Sequence, residues 1–184
     1  SINGLLAPRH SDHLLGYTLT GAASLGLGLV KDVSVIDQFG VNPSIEIIRR
    51  DLMMLPSAKS LDGPTVPIAQ PELDDFACYR IRGARRPAAI PKVVIDDQFV
   101  TGLHLDVKQP LRLCLSASRQ SLDGRLDPTD ALMCYKTRPT AGFPPFRGPS
   151  GPVFVANTLP DTSTRESVNH LRELCVPATV VFPP

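Results

Sequence analysis

The sequence predicts an all-β fold: three small modules of short antiparallel strands in tandem, packed side by side, with at most one short helix near the C-terminus. Three observations carry this expectation. Apolar residues alternate with polar ones over short runs such as Leu15, Tyr17 and Leu19, the period of a half-buried strand. The 19 prolines fall between apolar runs, which suits a loop-rich β protein better than helices. Three phrases also return in the same order three times. In the middle copy they are FACYRIRG (Phe76–Gly83), KVVIDDQF (Lys92–Phe99) and LRLCLSAS (Leu111–Ser118). The first copy reads HLLGYTLTG, DVSVIDQFG and LMMLPSAKS; the third reads ALMCYKTRP, PVFVANTLP and LRELCVPAT.

In chain order, His13–Thr20 is expected as the first strand and Val33–Phe39 as the second, closed by an Asp-Gln-Phe-Gly turn. Between them GAASLGLGLV (Gly21–Val30) lacks the Gly-Lys-Ser/Thr of a phosphate loop and reads as a hairpin connection. The run Ile45–Leu55 has a spacing that fits helix or strand. Its counterpart LHLDVKQPLRLCL alternates and is interrupted by Pro110, so strand is expected in both. SLDG closes the first copy at Ser60 and the second at Ser121. The predicted domains are therefore 1–60, a Pro-rich linker 61–72, 73–120, a linker 121–129, and 130–184. In the third copy Ser163-x-x-Glu166, with Val168, Leu171 and Leu174, has the form of a capping box before a helical stripe. Each copy holds too few strands to be stable alone, so the copies must share a core or lean on cross-links.

Aligning the copies puts Gly16, Cys78 and Cys134 in one column and Leu55, Cys114 and Cys175 in another. The copy lacking the first cysteine also lacks the second. Paired cysteines explain that joint loss, since losing one partner frees the other. Disulfides Cys78–Cys114 and Cys134–Cys175 are expected, with Gly16 facing Leu55 unbridged. Each would contribute roughly 4 kcal/mol by restricting the unfolded chain. Four buried free thiols are the alternative reading. A zinc site is disfavoured because no C-x-x-C pair occurs. Disulfides would place the chain in an oxidising compartment, secreted or on a cell surface; a start at Ser1 is expected of a chain whose signal peptide is already removed, and equally of an excised piece.

Lys plus Arg is 19 and Asp plus Glu 18, a formal net charge of +1. That balance gives no field for nucleic acid or an anionic membrane, and no apolar run approaches the ~20 residues of a membrane span. With 5% aromatic residues and no Trp, stacking platforms for bases or sugars are not evident. The histidines are His10, His13, His104 and His170; a metal site at His10 and His13 is weighed against a strand start. A Ser–His–Asp triad can hide from sequence, but no G-x-S-x-G occurs. Asp96, Asp97, Asp123 and Asp127 are weak calcium candidates beside Gly-containing turns, with solvated turn carboxylates as the plain alternative. Arg80, Arg82, Arg85 and Arg86 read as a solvated strand face. No cofactor and no catalytic residue are predicted.

FACYRIRG, DDQF and LRLCLSA, with MCYKTRP and LCVPA, resemble a domain-of-unknown-function family of secreted bacterial proteins that carry tandem CYK…DQF…LC-P-x-K modules. The resemblance implies an extracellular, disulfide-containing β module and brings no catalytic residues. The third copy departs from it by reading ANTL (Ala156–Leu159) in place of IDQF.

The functional expectation is an extracellular structural protein and not an enzyme, a surface or matrix filament subunit that joins copies of itself by strand addition. The assembly candidates are apolar residues with no evident internal partner: Ile2, Leu5, Leu6, Leu27, Leu29, Phe143, Phe146, Val180, Val181 and Phe182. The alternative is a monomeric secreted module that binds calcium or a cell-surface ligand. A secreted hydrolase is the remaining possibility.

Overall fold

Period-two alternation becomes strand almost everywhere. The computed structural model describes residues 12–20, 30–83, 90–97, 99–117, 126–159 and 163–183, with the backbone alone for 126–130. Its strands are β1 (His13–Thr18), β2 (Val30–Asp37), β3 (Gly40–Ser60), β4 (Asp75–Arg82) and β5 (Ile90–Ile95), followed by β6 (Leu103–Ala117), β7 (Leu126–Pro139), β8 (Val153–Ala156), β9 (Thr164–Glu166) and β10 (Glu173–Val181). All pair antiparallel, in one 10-stranded sheet. The fold is all-β.

The sheet closes on itself. Hydrogen bonding runs β2–β10–β7–β6–β4–β3, and β2 pairs back with β3. Around this ring β1 extends the edge of β3, β5 lies on β6, and the β8–β9 hairpin attaches to the C-terminal end of β3. Hydrogen bonds thus run continuously through the described strands as one sheet, not as three separately packed modules. Closure removes the free edges that an open sheet of this size would present.

One face of each strand fills the barrel. Val33, Val35, Ile45, Ile47, Leu105 and Val107 are at most 1% exposed and belong to a single cluster with Leu113, Leu115, Met133, Tyr135 and Val176. Each such side chain contributes about 1.5–3 kcal/mol when fully buried. Tyr135 is the largest, with the Phe39 ring edge-on to it at 5.3 Å. Its hydroxyl donates to Asp37 and accepts from Asn42 Nδ2 at 3.2 Å. The opposite strand face carries a second cluster of Met54, Phe76, Cys78, Cys114 and Cys134.

Several expectations change. No helix occurs among the described residues. Thr164, Arg165 and Glu166 pair as β9 with Val155, Phe154 and Val153, because β8 supplies the hydrogen-bonding partners a helix would forgo. β7 begins at Leu126, inside the expected linker 121–129. Gly16 pairs with Met54, and Leu55 with Leu15, so Gly16 does not face Leu55. The long β3 carries register shifts between Ile47 and Arg49 and between Arg50 and Leu52. Pro110 does not end β6; it lies at such an irregularity facing β7.

Candidate functional site

Both disulfides join directly opposed residues. Cys78 on β4 bonds Cys114 on β6, and Cys134 on β7 bonds Cys175 on β10; no described cysteine is free. The two cross-links abut, with Cys114 Sγ 3.8 Å from Cys134 Sγ. Together they staple four consecutive ring strands on the outer face. Beside them Asp51 receives Arg80 and Arg112, and Arg112 also binds Glu173, which ties β3, β4, β6 and β10 by charge. These features are structural. Disulfides are compatible with an extracellular protein.

The turn carboxylates are occupied by backbone. Asp97 Oδ1 accepts from Phe99 N at 2.7 Å and Val100 N at 3.0 Å, and Asp96 Oδ1 accepts from Gly102 N at 2.7 Å. Among the described residues no group of three or more His, Cys, Asp or Glu could hold a metal ion. Asp123 lies outside the described residues, and of Asp127 only the backbone is described.

The assembly candidates within the described chain do have internal partners. Val180 belongs to the barrel core, and Phe182 and Phe146 pack against it. Phe143 stacks on His104 with ring centroids 3.8 Å apart. The tail is part of the ring, since Ala178–Val181 pairs with Ser34–Asp37 of β2. Val181 points outward, 53% exposed, and Phe143 is 37% exposed beside His104. Ile2, Leu5, Leu6, Leu27 and Leu29 lie outside the described residues, as does His10.

A site that the sequence did not single out lies where the β8–β9 hairpin leans over β1 and the end of β3. It is a cavity of about 150 Å³ walled by Leu14, Leu15, Val153, Val155, Val168 and the Phe99 ring. Polar groups enter from three strands: His13 on β1, Ser57 and Lys59 on β3, and Glu166 on β9. Lys59 Nζ stands 4.3 Å from the Phe99 ring centroid, a cation–π contact. Among the described residues it makes no ion pair within 4.0 Å. Burial against these apolar walls lowers the Lys59 ammonium to about 8, opposed only by the charge of Asp97. Burial also lowers His13, with the Lys59 charge adding to the effect and Asp12 resisting it.

Ser57 and His13 are opposed across β3 and β1, and Asp12 precedes His13, so three residue types of a hydrolytic triad converge here. The hydroxyl is not activated. Ser57 Oγ donates to Leu55 O at 2.9 Å and accepts from Asn157 Nδ2 at 3.2 Å. Asp12 Oδ2 accepts from Glu72 N at 2.5 Å and Leu73 N at 3.3 Å. A motif search could not find this cavity, because its walls come from segments more than a hundred residues apart.

Fold and site define a disulfide-stapled antiparallel β-barrel with an apolar-walled, cation-bearing cavity among its described residues. Compared with known proteins, the chain matches no family, no curated protein and no solved structure. No helix among the described residues is long and apolar enough to cross a membrane.

Proposed function

We propose that this chain is a secreted, non-enzymatic binding module, three related β units merged into one barrel. The observation that carries the reading is ring closure. β2 near the start pairs with β10 at the end, so the chain completes its own sheet and leaves its C-terminal strand engaged.

Kinship of the units is supported by details finer than sequence phrases. The first strand of each unit pairs with its last: β1 with β3, β4 with β6, β7 with β10. The middle turns are built alike, with Asp37, Asp97 and Asn157 each accepting, at 2.7 Å, from the N–H two residues on. The ANTL departure therefore keeps the acceptor that the turn needs. In β2 and β5 the same bulge recurs, with Val30 on Ile47 and Val33 on Ile45, then Ile90 on Val107 and Val93 on Leu105. Its extra residue is left-handed in both, Asp32 and Lys92 at φ 58°. The third unit has Pro152 at that point, and a proline ring excludes positive φ. There β8 and β9 keep the hairpin but sit off the ring, over β1 and β3, and so create the cavity.

The filament reading has one observation in its favour. Ile36 and Val41, cross-strand neighbours, are 46% and 60% exposed, and Val181 is exposed close by. Light scattering of the full chain at roughly 100 μM, a concentration at which assembling subunits associate, decides between the two. A monomer supports the module; large particles dispersed by Val41→Asp would establish assembly through this face.

A further inference from the structure

We propose that the cavity between the β8–β9 hairpin and the β1–β3 pair binds a small monocarboxylate with an apolar body, its head on Lys59 and its body against Leu14, Leu15, Val153 and Val155. This rests on the binding-module reading and names its ligand class.

Size sets the body. A cavity of about 150 Å³ is of the order that accepts a benzene-sized molecule when its lining is apolar. Charge sets the head. Lys59 is the cation among those walls, its ammonium placed by the Phe99 ring without a carboxylate in salt-bridge range among the described residues. Asp97, whose charge acts on it, is committed to the N–H groups of Phe99 and Val100. Glu166 stands at the exposed rim, where water screens it. A ligand carboxylate would give the ammonium a partner in a half-buried, apolar-walled site, where charge-assisted hydrogen bonds are stronger than in open water. Neutral His13 can add a hydrogen bond from the facing strand. A phosphate has no apolar body to fill the walls, and an amine would meet a like charge.

The geometry also fixes a pH dependence. The titratable groups facing Lys59 are His13 from β1, with Asp12 just before that strand acting on the imidazole, Asp97 from the β5–β6 turn and Glu166 from β9. Carboxylates and imidazoles ordinarily complete their titration below about pH 7.5. Lys59, lowered to about 8, loses its charge above that value. Carboxylate affinity is therefore highest below about pH 8 and declines above it toward the roughly tenfold weaker binding expected without the charge.

Titration calorimetry of the full chain with benzoate, benzamide and benzylamine tests this. Benzoate is expected to bind with a dissociation constant on the order of 1 mM, and benzamide and benzylamine at least about tenfold more weakly. Lys59→Met should weaken benzoate about tenfold and leave benzamide unchanged. On the unaltered chain, benzoate affinity should fall as pH rises from about 7 to about 9.5. Equal binding of acid and amide, or a flat pH profile, overturns the proposal without reference to any variant. A monomeric chain that binds no benzoate overturns the ligand class and leaves the module standing; a chain that polymerises brings down the module itself.

Discussion

Lys59 is held in a place where its charge is disfavoured. Its folded value, about 8, lies below that of an exposed lysine, so the folded state binds its proton less tightly than the unfolded chain does. A depressed group of this kind contributes stability that is complete above its unfolded value and is lost as pH falls through about 8. Lys59→Met should therefore stabilise the chain near neutrality by about 1 kcal/mol, discounted for a side chain still partly wet. Urea melts at pH 7 and near pH 10 check this, since the gain should shrink at the higher value. The substitution that weakens benzoate is thus expected to strengthen the fold. Asp37 presents the opposite sign. Burial raises its carboxyl, against hydrogen bonds from Tyr135 and from the N–H groups of Phe39 and Gly40. Its contribution is complete at acid pH and is lost as pH rises through its folded value. Asp37→Asn keeps the acceptor for Phe39 N but removes the one for the Tyr135 hydroxyl, so whatever that lost bond costs at every pH, the variant's stability relative to the unaltered chain has its advantage near neutrality. In melts followed toward about pH 3 that advantage should vanish; a difference independent of pH would contradict the assignment.

At the scale of elements, register decides which residues can be bridged. The sequence columns set Gly16 against Leu55, whereas the strands set it against Met54. Met54 lies in the outer cluster with Cys78, Cys114 and Cys134, so the Gly16–Met54 pair occupies the place of a third staple. Gly16→Cys with Met54→Cys should oxidise to a disulfide and raise stability by roughly 3 kcal/mol, from the loop it closes less the lost methionine packing. Gly16→Cys with Leu55→Cys should leave both thiols free, because neighbouring residues on a strand point to opposite faces. Non-reducing peptide mapping with thiol titration separates the two. The close approach of Leu52 Cδ1, 3.3 Å from a Cβ built on Gly16, requires only that a flexible side chain move. The disulfide pairing was legible because a joint loss needs no geometry. The one-residue error came from matching LMMLPSAKS to LRLCLSAS by their first leucines: the strands set Ile45 and Ile47 where the second copy has Leu105 and Val107, and the same spacing carried on puts Met54, not Leu55, in the place of Cys114.

At the scale of the molecule, β10 is a structural member of the ring. Val176, Ala178 and Val180 face the core while Pro177, Thr179 and Val181 face out, and the strand lies between β7 and β2. Ending the chain at Pro177 would remove Val180 and Phe182 from the core and the pairing with β2. Loss of cooperative thermal unfolding is the expected outcome, read by circular dichroism. A truncated chain that still melts sharply would show that closure is dispensable. The apolar tail looked unpartnered in sequence because its partner, β2, lies more than 140 residues away. The capping-box pattern at Ser163–Glu166 was misleading for a related reason: three residues choose strand when a neighbour offers an unpaired edge.

The sequence by itself determined the all-β class, the strand cores and both disulfides, because alternation and paired cysteine loss are local or countable properties of the chain. Only the tertiary structure decided that the sheet closes, that β8 and β9 stand off the ring, and that Lys59, Phe99 and His13 meet in one cavity. Closure depends on twist and bulges accumulated over many strands, and a cavity exists only where distant surfaces fail to fill the space between them.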